Sequence, residues 1–172
     1  MKRSYVQVYT GNGKGKTTAA FGLALRAAGR GLSVKIVQFL KGRDTGEISA
    51  ISGMGNIELK RVSCSGKFFY AMSDEEKKQM RTGVLEILPV IESWLGKADL
   101  LILDEALPAL NCGILKTDEL MSIINHRGGT ELVLTGRDAP EEIIRAADLV
   151  TEMREVKHYY NAGAAAREGI EF

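Results

Sequence analysis

The residues best suited to chemistry are Thr10-Gly11-Asn12-Gly13-Lys14-Gly15-Lys16-Thr17-Thr18, where an apolar stretch gives way to an alanine-rich one. This spacing suits a phosphate-binding loop. Gly11, Gly13 and Gly15 let the backbone turn tightly, so that N–H groups and the positive end of a following helix face one anion. Lys16 then reaches the outer phosphates of a nucleoside triphosphate such as ATP, and the Thr17 hydroxyl can ligate Mg²⁺. Asn12, Lys14 and Thr18 complete the cradle. Thr10 occupies the place of the first glycine in the G-x-x-x-x-G-K-[ST] pattern. The competing reading, a glycine-rich turn with solvated lysines, is disfavoured by the strand Tyr5–Tyr9 before the loop and the helix Thr17–Ala28 after it.

A second cluster follows the apolar run Leu100-Leu101-Ile102-Leu103, which reads as a strand delivering Asp104 and Glu105 to the carboxyl edge of a sheet. A hard cation bridging phosphates needs oxygen ligands. Thr17 and Glu105 are the expected direct ligands, with Asp104 as partner to Glu105; helix capping by Asp104 is the alternative. Lys16, Thr17 and Glu105 form the expected catalytic set. Arg137, after Leu134-Thr135-Gly136, reaches the same edge as a phosphate clamp or as a solvated loop arginine.

These residues need a scaffold. Apolar runs at Ser33–Phe39, Leu100–Leu103 and Glu131–Leu134 read as buried strands, and Ile57–Val62 as a weaker one. Between Lys41 and Asn56 there is room for one short helix. Ser73 and Glu76 form a capping box before a long amphipathic helix with apolar positions Met80, Val84, Leu85, Leu88, Ile91, Trp94 and Leu95, which Pro89 is expected to kink. A helix spans about Thr117 to Asn125, and Asp138 with Glu141 caps another. Strands alternating with helices predict an α/β fold with a mostly parallel sheet covered on both faces. The run Arg154–Phe172 has no regular pattern.

A chain of 172 residues, 45% hydrophobic, suits a single domain over 1–172. Its 23 Lys plus Arg against 22 Asp plus Glu give a formal charge of +1, no basis for a nucleic-acid or anionic-membrane partner. Cys64 and Cys112 lack zinc-site spacing and fit a reducing cytoplasm. No secretory h-region or membrane-length apolar run occurs.

The stretch Tyr9–Gly22, with Val37-Gln38-Phe39-Leu40-Lys41-Gly42, Leu103-Asp104-Glu105, Leu134–Arg137, Ala147–Arg154, Val156-Lys157-His158 and Gly163–Phe172, resembles the P-loop type of ATP:corrinoid adenosyltransferase. The resemblance implies a RecA-like P-loop NTPase fold and transfer of the 5′-deoxyadenosyl group of ATP to cobalt of a reduced corrinoid, with triphosphate released. It further implies Mg²⁺ or Mn²⁺, an electron donor protein for Co(II) reduction and a cytoplasmic homodimer. Members hold the corrinoid against an aromatic surface. Here Phe68, Phe69 and Tyr70 are the candidates, in a segment that departs from the Gly-Phe-Thr-Trp arrangement of many members. His158 falls near the site by resemblance, and a hydrogen-bonded structural histidine is the preferred reading over an axial ligand to cobalt; His126 reads as a turn residue. Some members close the site with a helix before the first strand, and with nine residues before Thr10 that closure falls here to the aromatic loop or the C-terminal run. A small-molecule kinase, an NTP hydrolase or a non-catalytic ATP-gated corrinoid-binding module shares the phosphate loop and carboxylates, and differs in its products.

Overall fold

The computed structural model describes residues 3–42, 45–62, 67 and 69–171. Six strands, β1 (Val6–Thr10), β2 (Val34–Gln38), β3 (Ile57–Arg61), β4 (Leu100–Asp104), β5 (Glu131–Thr135) and β6 (Leu149–Glu152), form one sheet of order β3-β2-β4-β5-β1-β6. Every pairing is parallel. Strand β5 thus separates the loop strand β1 from the carboxylate strand β4, the RecA-like arrangement. The helices are α1 (Lys16–Ala28), α2 (Gly46–Ile51), α3 (Asp74–Trp94), α4 (Ala106–Asn111), α5 (Thr117–His126) and α6 (Glu141–Ala146).

Alternation along the central strands supplies two cores. Leu101, Leu103, Leu132 and Leu134 point to one face with Met80, Val84, Ile91 and Leu120, whereas Leu100, Ile102 and Val133 point to the other with Ala20, Phe21 and Ala24 of α1. Both faces are therefore dry, which is why these strands read as continuous apolar runs. Helix α3 buries Met80, Val84, Ile87, Ile91 and Trp94, a single stripe at helical spacing. Each such side chain contributes about 1.5–3 kcal/mol. The Arg81–Glu119 pair linking α3 to α5, at 2.7 and 2.5 Å, is part-exposed and contributes about 1 kcal/mol or less, so packing decides where α3 lies.

The Ser73 capping box forms: the Glu76 N–H donates to Ser73 Oγ at 3.2 Å, and the Ser73 N–H donates to the Glu76 carboxylate at 2.7 Å. Lys67, 2.8 Å away, and that N–H pull the Glu76 carboxyl down to about 2.

Two local expectations are corrected, at Leu85 and at Asp138. Leu85 is half exposed, and Ile87 takes its place in the buried stripe. Helix α3 also continues without a break through Pro89. Asp138 does not cap α6; it sits at φ 53°, and Pro140 precedes the first helical residue. Two elements were not anticipated, α4 and the edge strand β6.

Candidate functional site

The phosphate loop leaves β1 and enters α1 through two glycines in the left-handed region, Gly11 at φ 99° and Gly15 at φ 118°. Thr10 needs no glycine because it is still the last residue of β1; its hydroxyl accepts from the Ala139 N–H at 3.3 Å. The loop is clasped from outside by β6. Gly13 N–H donates to the Met153 carbonyl at 2.7 Å, and Met153 N–H donates to the Thr10 carbonyl at 2.8 Å. A Cβ on Gly13 would stand 2.7 Å from the Met153 oxygen, which explains the glycine there.

Lys16 is buried and curls back over the loop, donating to the Gly11 and Gly13 carbonyls at 2.6 and 2.8 Å. Burial, reinforced by nearby Arg137, pushes its pKa below the ordinary lysine value. An anion arriving beside it relieves that penalty.

Asp104 is the hub of the site and is fully buried. One carboxylate oxygen accepts from the Thr17 hydroxyl at 2.9 Å and the Thr135 hydroxyl at 2.7 Å; the other accepts from Gln38 Nε2 at 3.1 Å and pairs with Lys41 Nζ at 2.8 Å. Strands β2, β4 and β5, through the residues at or after their ends, and helix α1, through Thr17, thus converge on one carboxylate. Glu105 is half-buried and lines the cleft above it. Its N–H donates to Thr135 Oγ1 at 3.0 Å. Burial first, and the Asp104 charge second, raise the Glu105 carboxyl above its ordinary range.

The non-glycine residues with positive φ among those described are Leu40 at 54°, Glu105 at 59° and Asp138 at 53°. They follow β2, β4 and β5 at the same edge. A left-handed L-residue costs about 1–2 kcal/mol, and three such costs at one sheet edge mark a backbone shaped for a ligand.

The cleft, about 890 Å³, is walled by the loop, Lys41, Glu105, Pro108, Arg137, and tail residues including His158, Ile170 and Glu171. Lys14 lies on its rim, tied to that tail: its ammonium donates to Tyr159 Oη at 3.0 Å, to the Ile170 carbonyl at 2.8 Å and to Glu171 at 2.8 Å. Arg167, Lys14 and the Tyr159 hydroxyl together hold the Glu171 carboxyl far below the usual carboxylate range. Asn12 Oδ1 accepts from the Glu155 N–H at 3.0 Å. Thr18 lines the cleft directly. His158 Nδ1 accepts from the Tyr160 N–H at 3.1 Å, and the His126 ring meets the Ser122 carbonyl at 2.9 Å in the last turn of α5.

A second pocket of about 440 Å³ opens beside the cleft and shares Leu40, Pro108 and Arg137 with it. Phe69, Tyr70, Met72 and Cys112 form its apolar side. Phe68 and Cys64 lie outside the described residues. The structure therefore brings Lys16, Thr17, Asp104, Glu105 and Arg137 into one cleft, and sets Phe69 and Tyr70 one wall away.

A divalent cation suits this donor set. Thr17 offers a hydroxyl oxygen, Asp104 and Glu105 offer carboxylates, and Gln38 Oε1 is buried with no hydrogen-bond partner among the described residues. Among the described residues no three His, Cys, Asp or Glu side chains cluster as a metal site. Glu105→Gln is expected to raise the divalent-ion concentration needed for half-maximal activity. It should also flatten a pH effect on melting temperature without cation. Because the native Glu105 carboxyl lies above its ordinary 4.5, its contribution to stability is full below that value and is lost as pH rises through the native value. Identical metal dependence in variant and parent would take Glu105 out of the cation site.

Sequence reasoning did not anticipate the parts played by Lys41, Gln38, Thr135 and the tail tyrosine Tyr159. The stretches Val37–Gly42 and Leu134–Arg137 held the available signal, with Gln38 and Thr135 at the ends of buried strands and Lys41 just past one.

Comparison with known proteins is consistent over almost the whole chain. The family model described as ATP:corrinoid adenosyltransferase BtuR/CobO/CobP matches residues 2–172. The corrinoid adenosyltransferase CobA of Salmonella typhimurium is 34% identical, the match covering 99% of this chain and 87% of that protein. A corrinoid adenosyltransferase of Pseudomonas aeruginosa is 36% identical, with 99% and 85% covered. Among solved structures, a KaiC-like protein, PH0186, of Pyrococcus horikoshii aligns with TM-score 0.52 at 16% identity, over 89% of this chain and 74% of that one. The cytoplasmic domain of the Thermomonospora curvata type VII secretion ATPase EccC aligns with TM-score 0.55 at 14% identity, over 95% of this chain and 22% of that one. These two likenesses speak to fold alone.

Proposed function

The chain belongs to the ATP:corrinoid adenosyltransferase family, and we propose that its cleft holds ATP while the adjoining apolar pocket holds a reduced corrinoid. The enzyme transfers the 5′-deoxyadenosyl group to cobalt. The Co(I) electron pair attacks C5′, a cobalt–carbon bond forms, and the C5′–O bond breaks with its electrons leaving on triphosphate. No proton moves on the nucleophile, so no general base is required. The protein's task is to stabilise charge on the departing triphosphate. In this reading Lys16 and Arg137 meet the phosphates, Gly11, Asn12, Gly13, Lys14, Gly15 and Thr18 shape the cradle, and Thr17, Asp104 and Glu105 hold the cation. The cation, Mg²⁺ or Mn²⁺, supplies further charge neutralisation at the phosphates.

The observation that carries the assignment is the shared wall of Leu40, Pro108 and Arg137, across which a nucleotide and a large apolar-faced substrate can meet. Phe69 and Tyr70 are placed by this reading against the corrin, where an apolar surface disfavours a water or base on the lower face of cobalt. A single domain over 1–172, an external electron donor, a homodimer and a cytoplasmic setting complete the proposal on the strength of the family resemblance. No helix among the described residues is long and apolar enough to cross a membrane.

The test is incubation with ATP, Mg²⁺ and chemically reduced cobalamin, with both products identified. Triphosphate and an alkylated corrinoid are expected; ADP would favour a kinase or hydrolase. Run from preformed Co(I), a Phe69→Ala, Tyr70→Ala double variant should retain much of its rate, and run from Co(II) with a mild reductant it should lose most of it. Equal impairment in both arms would assign these residues to substrate positioning or folding.

A further inference from the structure

Lys41 stands one residue beyond the left-handed Leu40, after the end of β2. Its ammonium lies 3.0 Å from Thr17 Oγ1 and 2.8 Å from the Asp104 oxygen that Gln38 also reaches. The Thr17 hydroxyl spends its one proton on the other Asp104 oxygen, at 2.9 Å, so the Lys41 contact uses a lone pair of Thr17. That lone pair is what a hard cation would take. The same holds for the carboxylate oxygen: among the described residues Lys41 supplies the positive charge in contact with a carboxylate of zero exposure, while its own side chain remains about one-fifth exposed. An uncompensated buried carboxylate is costly, so some cation must stand here whether or not metal is present.

We propose that Lys41 is a tethered stand-in for the divalent ion: its ammonium fills the cation position between Thr17 and Asp104, and the incoming metal–nucleotide expels it into the cleft. The inference rests on the reading that Thr17 and Asp104 face a divalent cation. Expulsion is feasible because Lys41 and Gly42 already line the cleft, where the polyphosphate offers a new anionic partner. Two cations held within about 3 Å of the same two oxygens repel each other, which favours the exchange. The device keeps Thr17 and Asp104 aligned without metal, at the expense of metal affinity.

Titration calorimetry of the whole protein with ATP in EDTA, and with ATP plus excess Mn²⁺, gives the factor by which metal tightens nucleotide binding. In Lys41→Met this factor is expected to rise about tenfold, as it does when a competitor that leaves roughly a tenth of the population open is removed. In Lys41→Arg, whose fork grips a carboxylate more firmly, the factor is expected to fall. The arginine variant keeps the charge beside Asp104 and decides the matter if Lys41→Met does not fold. An unchanged or smaller factor in Lys41→Met, or an unchanged or larger one in Lys41→Arg, would overturn the proposal. If metal fails to tighten ATP binding in the parent protein, the cation-site reading falls first and takes the proposal with it.

Discussion

Replacing Lys16 by alanine is expected to lower adenosyl transfer at least about a hundredfold, the scale on which enzymes lose rate when one charge-stabilising contact is removed. The expectation follows from where the ammonium sits. It is buried, held by the Gly11 and Gly13 carbonyls, and its pKa is depressed mainly by loss of solvent. A cation so poorly hydrated interacts with developing negative charge far more strongly than one in water. Single-turnover rates with preformed Co(I) and saturating ATP isolate the effect, because corrinoid reduction is then bypassed. A folded variant that transfers at the parental rate would remove Lys16 from the mechanism.

Gly136→Ala is expected to have the second-largest effect, and it acts through packing. Gly136 lies at φ 144°, and an added Cβ would fall 2.2 Å from Pro108 Cδ and 2.8 Å from Leu107 Cβ. Neither neighbour is the free end of a flexible chain. Overpacking of this kind costs about 1–3 kcal/mol, and the unfavourable backbone adds about 1–3 more. Helix α4 must shift, carrying Pro108 away from the wall it shares with Arg137 between the two pockets. The melting temperature should therefore drop steeply and activity with it; a variant as stable as the parent would show that α4 is not packed as described.

What could be read from the chain was what is encoded locally. The loop's glycines and lysine occupy consecutive positions, and strands buried on both faces advertise themselves as unbroken apolar runs. The order in which neighbours meet was not local. Asp104 and Glu105 are adjacent carboxylates, read from sequence as partner and direct ligand; the last strand position turns Asp104 into the hydrogen-bonded hub, and the left-handed backbone of Glu105 turns it into the cleft. Gln38 meets Asp104 across 66 residues of chain, a pairing set by strand order and invisible to spacing. Helix α4 escaped notice because Ala-Leu-Pro-Ala-Leu-Asn carries a proline, tolerated here in the first turn of a helix. Strand β6 escaped because all four of its residues are exposed and show no alternation. Asp138 resembled a cap by spacing, and its left-handed backbone removes it from that position.

The clasp of β6 on the phosphate loop bears on how the protein is made. Gly11 and Gly13 emerge early in synthesis, but the carbonyl that receives the Gly13 N–H belongs to Met153, and the strand β6 just before it pairs with β1 only after the intervening chain has been built. Such distant pairing forms late, since loop closure must precede any reward from contact. A nascent chain halted before β6 would hold every loop residue of the nucleotide cradle and still lack the brace that fixes its shape. The first turn of the chain to appear would thus be among the last to acquire its braced form.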